Sequence, residues 1–249
     1  MATSLKWKQL LSAIVLISSA SYSSIPDKLK YKTIFNTCPS QSAGKFAMKI
    51  LKSFEEKQSL YSVKSDINSN FLKEKHFIDT YNIKFDPNEN ELNIVVNCPT
   101  PLMKVMLMDK EANGEYQSIL VENGDLYDPT YEVLLSNEKK LKNALPSLVI
   151  NKSDMNIENR KLITSIIKEL GSENFSKVGE IVFDNNQLMT MILSLRKKPV
   201  SVFMGKDNLI EKTGKLSRLL KYADENNKQP TVINLINSKK VVVKFAHKK

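Results

Sequence analysis

The sequence predicts an α+β protein of two folded parts behind an apolar N-terminal segment. Three observations carry this. Residues 31–98 alternate as strand, helix, helix, strand, strand. After Pro101 the pattern changes to short β-like pieces interrupted by a few helices. Residues 10–25 carry no charge at all. A chain of 249 residues suits one large domain or two small ones, and an apolar fraction of 41% supports real cores. The natural divisions are 1–26, 27–101 and 102–249.

The first part builds up in order. YKTIFNT (31–37) is rich in β-formers and stops at Pro39. Ser40 or Ser42 then offers a helix cap, and Phe46, Ile50, Leu51 and Phe54 share one helical face. A second helix is expected from Ser65-Asp66, with Ile67, Phe71 and Leu72 turned inward. FIDTYNIKFD (77–86) reads as a strand, PNENE as a turn, and ELNIVVNC (91–98) as a strand with Leu92, Ile94 and Val96 on one face. Five elements in under 80 residues make a small module, two helices on one face of a three-stranded sheet.

The second part reads as a mostly antiparallel β domain with flanking helices. LMKVMLMD, YQSILVE, DLYD and YEVLLS are its first β-like pieces, and Asn123-Gly124 marks a hairpin. A helix is expected over 156–170, closed by Gly171. GEIVFD, LMTMILSL and VSVFMG follow as strands, turning at Asn185-Asn186 and over 197–199. A last helix spans 207–225, with Asp207 as cap and Leu209, Ile210, Leu216, Leu219, Leu220 and Tyr222 as its apolar side. TVINLIN and KKVVVKF close the chain as a hairpin.

Lys6 and Lys8 precede the 16-residue uncharged run, the arrangement of an export signal. Ser18 and Ala20 resemble a small-x-small cleavage site, while the run falls just short of the ~17–25 residues of a spanning helix. It is therefore either a cleaved signal or a short membrane anchor with its lysines in the cytoplasm, and both place the rest outside it. The formal charge of +10 lies wholly in residues 196–249, where 14 Lys/Arg face 4 Asp/Glu. Such a balance suits an acidic partner surface, anionic headgroups or a plain solvated face. Nucleic acid is not expected, since no interleaved aromatic set or binding motif accompanies it.

Chemistry is thin. His76 and His247 are the only histidines, and neither stands in a metal or nucleophile pattern. His76 is expected at the surface. Phosphate-loop, dinucleotide and nucleophile-elbow motifs are absent. The expectation is no enzyme, no cofactor and no metal, with a hydrolase using an unrecognised carboxylate pair as a weak third reading.

Two features remain. Both cysteines, Cys38 and Cys98, stand before proline at the ends of similar strands. A disulfide, a metal site, a reactive thiol or coincidence would each fit that spacing. The last strand, Val241, Val242, Val243, Lys244 and Phe245 behind Lys239 and Lys240, would accept a partner's strand if it lies at an edge in space. Its lysines would favour an acidic partner.

The arrangement resembles the FtsQ/DivIB family of bacterial cell-division proteins. FIDTYNIKFDPNENELNIVVNCPTPLMKVML resembles the second half of a POTRA domain running into its β domain, VENGDLYDP the strand-turn-strand that opens that domain, and LPSLVI the family's Leu-Pro segment. VSVFMGKDNLIEKTGKLSRLLKYADENNKQPTVINLINSKKVVVKF is the best match. The chain departs at Thr37-Cys38-Pro39, where the family has glycine, and at Asn234 and Ile236, where Asp and Arg are common.

The resemblance implies a non-enzymatic, single-pass scaffold of the cell inner membrane, its bulk in the periplasm. Its partners would be other division membrane proteins, coiled-coil subunits and septal wall-synthesis machinery, paired through residues 239–245. The alternative is a soluble periplasmic envelope-assembly protein of POTRA type whose signal is cleaved. A POTRA-like sheet also makes the first and third strands parallel neighbours. Cys38 and Cys98 then lie at one level in an oxidising compartment, and a disulfide between them is expected.

Overall fold

A computed structural model describes residues 28–108, 116–141 and 143–246. The apolar run 10–25, Lys6, Lys8 and His247 lie outside the described residues. The chain is a mixed α+β protein built on two sheets.

The first sheet carries β1 (Lys30–Phe35), β2 (Thr80–Asp86) and β3 (Glu91–Asn97) in the order β1-β3-β2. β1 runs parallel to β3 and β2 antiparallel to it. The helices α1 (Ser40–Lys57) and α2 (Leu60–Ser69) make the return that a parallel pair needs. Leu92, Ile94 and Val96 of β3 are 0% exposed, as the two-residue period of a central strand requires. They meet the α1 stripe of Ala43, Phe46, Ala47, Ile50, Leu51 and Phe54.

Two expectations change here. The second helix begins at Leu60, because Ser59 is extended and its side chain accepts from the Ser62 N–H, an N-cap placed before the expected start. Phe71 is not core. It has a left-handed φ of 50° between α2 and the short α3 (Leu72–Lys75), and this turns its ring out to 64% exposure.

The second sheet is nine-stranded: β4 (Pro101–Met108), β5 (Tyr116–Val121), β6 (Leu126–Tyr127), β7 (Ser147–Asn151), β8 (Val178–Phe183), β9 (Met189–Leu195), β10 (Lys198–Gly205), β11 (Pro230–Asn234) and β12 (Val242–Phe245). The order is β12-β11-β10-β9-β8-β7-β4-β5-β6. Five neighbour pairs are antiparallel and three parallel, so the sheet is mixed. Two of the parallel pairs arise because a long helix is a crossover: α5 (Ile157–Phe175) joins β7 to β8, and α6 (Leu209–Glu225) joins β10 to β11. The third, β4 with β7, is reached through β5, β6 and a short helix.

YEVLLS is a helix, α4 (Thr130–Asn137), not a strand. Asp128 accepts the Thr130 N–H at 2.8 Å, and Tyr131 and Leu135 bury one helical turn apart. Ser147–Asn151, which begins inside LPSLVI and ends one residue past it, is a central strand between two parallel neighbours. α5 runs past Gly171 to Phe175 through a kink at that residue (φ 76°, ψ 158°). α6 has Asn208, not Asp207, at its N-cap position, and Ile210 and Tyr222 are 46% and 45% exposed.

α5 and α6 bury against Val105, Leu148, Ile181, Met191 and Val202 on one sheet face. α4 lies on the other face with Ile119 and Val121, and joins the core of the first sheet. The join is dense. Phe77, Tyr127 and Tyr131 stack with centroids 4.9–5.6 Å apart. The buried Tyr131 hydroxyl donates to Pro99 O at 2.6 Å. Burial, then Asp125, Asp79 and Glu74, push the Tyr127 phenol up to about 12.

The predicted disulfide is present. Cys38 and Cys98 are bonded with Cα atoms 4.8 Å apart, at the ends of the parallel pair β1 and β3. Both are buried, at 0% and 4% exposure. The Thr37 hydroxyl donates to Cys98 O and accepts from the Cys98 N–H.

Neither Ser40 nor Ser42 caps α1. Pro39 occupies the cap position and offers no side-chain acceptor. Glu138, at the end of α4, accepts the Ser40 and Gln41 N–H groups at 2.8 and 3.3 Å instead. Lys140 donates to Cys38 O and Ser40 Oγ and pairs with Glu138 at 2.9 Å. Desolvation raises the Glu138 carboxyl, but these hydrogen bonds outweigh it and hold it at about 2.

Candidate partner-binding edge

Among the described residues β12 is the terminal strand of the nine-stranded sheet, with β11 as its one neighbour. It is short, 4 residues paired antiparallel with Pro230–Asn234, with a register shift on β11 between Pro230 and Val232. Within it, Val243 packs half-buried against the core beneath α6, while Val242 is 65% exposed on the open face. Phe245 is half-buried, with the Lys228 ammonium 5.7 Å from its ring. Lys244 is exposed.

Val241 (42% exposed) precedes the strand, and Lys239 and Lys240 lie exposed in the turn before it. That turn is ordered by Asn237, whose side chain accepts the Lys239 N–H at 2.9 Å and whose carbonyl accepts the Lys240 N–H at 3.2 Å. The structure thus brings residues 239–245 together on one edge. Cys38 and Cys98 belong to the other sheet and take no part.

The direction of the backbone groups decides what this edge can do. The Ala246 N–H points inward to Gln229 O at 2.9 Å. Strand alternation then directs the Val242 and Lys244 amides inward and those of Val243 and Phe245 to the free edge. A second extended chain finds there a donor and acceptor on each of two residues. It also finds apolar side chains on the covered face and lysines at the approach. The edge can therefore bind backbone and read an alternating side-chain pattern. Its brevity and its lysines limit indiscriminate pairing.

Behind the edge stands a residue the sequence reading passed over. Lys212 of α6 is 2% exposed, and its ammonium donates to Met204 O at 2.8 Å and Ile236 O at 3.0 Å. It lies on the buried stripe of Leu209, Thr213, Leu216, Leu220 and Ala223. A lysine at that period was the available signal.

His76 is buried, not at the surface: it is 8% exposed, its Nδ1 lies 3.5 Å from Ser42 Oγ, and its Nε2 has no hydrogen-bond partner among the described residues. Burial, then Lys49, Lys45 and Lys75, lower its pKa. Ser42 Oγ donates to the His76 carbonyl at 3.0 Å, which leaves the serine anchored to backbone.

Among the described residues no group of three or more His, Cys, Asp or Glu side chains is arranged to hold a metal ion, and no helix is long and apolar enough to cross a membrane. Comparison of the sequence with protein-family models finds no match, and comparison with curated proteins finds none either.

Proposed function

We propose that the chain is a non-enzymatic scaffold of FtsQ/DivIB type, held in the inner membrane by residues 10–25 and facing the periplasm. In this reading it binds septal partners by adding their strand to β12. The observation that carries the reading is the edge: an exposed terminal strand, lysine-flanked, with two outward-directed backbone pairs.

Other features support it. The order β-α-α-β-β with a β1-β3-β2 sheet suits a POTRA-like unit over 27–101, followed by a sheet-rich unit over 102–249. A buried disulfide suits an exported chain. Binding through backbone needs no cofactor.

The test is capture from envelope extracts by the full chain, wild type against Val243→Pro. Proline at 243 removes an outward donor and leaves the pairing with β11 in place. Capture that falls at least tenfold with an unchanged far-UV spectrum supports the reading. Undiminished capture of every partner by a folded Val243→Pro chain ends it. The mature N-terminus separates anchor from cleaved signal: a protein beginning near Ser21 is the soluble envelope-assembly form.

A further inference from the structure

β12 has only 4 residues and, among the described residues, one neighbour, so its place depends in part on contacts outside the ladder. The loop over residues 235–241 leads into it, and α6 grips that loop from behind. Lys212 Nζ bonds Ile236 O in the loop and Met204 O at the end of β10, joining the two segments that flank β11. One turn further along α6, Lys215 Nζ bonds Ser238 O in the same loop and is steadied by Glu211 at 2.6 Å.

The arrangement is costly in ways that a mere filler would avoid. An ammonium at 2% exposure has no carboxylate among its hydrogen-bond partners and rests on carbonyl oxygens. A methionine there would fill the same space without desolvating a charge. Gly205 adopts φ +75°, a left-handed turn that favours glycine, directly beside this contact: a Cβ there would stand at ordinary contact distance, 3.5 Å from Lys212 Nζ and 3.6 Å from Ile236 Cα. Charge, glycine and carbonyls converge on one point, the start of the loop that delivers the edge.

We infer that Lys212, seconded by Lys215, is a positioning residue for the partner-binding edge: it fixes the 235–241 loop so that β12 stands preformed in register on β11. The assignment rests on the reading of β12 as the binding strand. It adds that binding strength is set from inside the molecule, by a side chain no partner touches. A preformed edge spares the partner the cost of ordering it.

Amide hydrogen exchange on the free, full-length protein tests this without any partner. In Lys212→Met, the inward amides of Val242, Lys244 and Ala246 are expected to exchange about tenfold faster, while β9 and β10 keep their protection, because the change is local. Lys212→Arg, which keeps donors for both carbonyls, restores slow exchange.

Lys215→Met, on a side chain 26% exposed, leaves the core intact and is expected to speed the same amides about threefold. It carries the test alone if Lys212→Met does not fold. Unchanged exchange at β12 overturns the inference, as does an acceleration spread evenly over β9 and β10, which marks a general core residue. Faster exchange at β12 together with undiminished capture by Val243→Pro leaves the clip standing and removes the binding reading.

Discussion

The junction between the two sheets and the free end of the larger sheet are opposites in how they treat the backbone. At the junction, chain ends are closed off. A disulfide joins two strand ends, Glu138 takes the first amides of α1, and Lys140 and the Tyr131 hydroxyl take the carbonyls of Cys38 and Pro99. At β12, two residues direct their backbone groups to solvent, and the strand is held by its neighbour β11, the packing of Val243 on the core and two lysines behind its loop. Rigidity is concentrated at one place and availability at the other. A scaffold needs both: a fixed frame and one edge left open.

Substitutions can break this contrast in order of expected size. Replacing both cysteines by serine removes a cross-link closing a loop of 60 residues and is expected to cost about 4 kcal/mol in the chain-entropy model. Thermal unfolding checks the loss. Exchange at β12 should stay as it was, and a matching acceleration there would show that the two regions are not independent.

Next comes the pair Val242→Pro and Val243→Pro. The first removes an inward donor and should detach β12, costing roughly 1–3 kcal/mol. The second removes an outward donor, and its stability should change by no more than about 1 kcal/mol. Chemical denaturation separates them. Equal losses would mean that the alternation assigned from Ala246 is wrong.

Glu138→Gln keeps the shape and loses the charge, with an expected cost of about 1–2 kcal/mol. Because the folded carboxyl lies near 2, below its ordinary value of 4.5, its contribution is complete above pH 4.5 and disappears as pH falls toward 2. A denaturation series over that range should be flatter in the variant.

His76 gives the smallest effect. Its pKa is lowered by burial and by Lys49, Lys45 and Lys75, so the neutral ring is favoured in the fold. The stability tied to it is full above pH 6.5 and declines as pH falls below that value. His76→Leu should flatten the upper part of the acid profile, and an unchanged slope between pH 6.5 and 5 would contradict the assignment.

Much of the first sheet was legible because its signals are local. Alternating Leu92, Ile94 and Val96 mark a strand, and the stripe ending at Phe54 marks a helix. The Cys38–Cys98 bond was expected only from the strand order that the POTRA-like resemblance implies, and the bond is present. What escaped depends on partners distant in sequence. α1 looks capped by Ser40 or Ser42, yet its cap is Glu138, 98 residues away. Ser147–Asn151 is only five residues long, too short to announce a central strand, and it is fixed by two neighbours that no periodicity names. YEVLLS has the β-type residues Tyr and Val, but Tyr131 and Leu135 are buried at helical spacing against the first sheet.

The candidate edge shows the same division. Whether the last strand lies at an edge in space is not legible in the sequence; among the described residues the topology places it at one. Lys212 was invisible as a clip because its partners are backbone carbonyls, which every residue has.

The most direct measurement is photo-crosslinking from Val242, 65% exposed on β12, set against Tyr31, 60% exposed on β1, an edge strand of the three-stranded sheet. A photoreactive residue at each position in the full-length protein, activated in intact cells, should yield partner adducts from 242 and none from 31. Adducts from 31 with none from 242 would contradict the account.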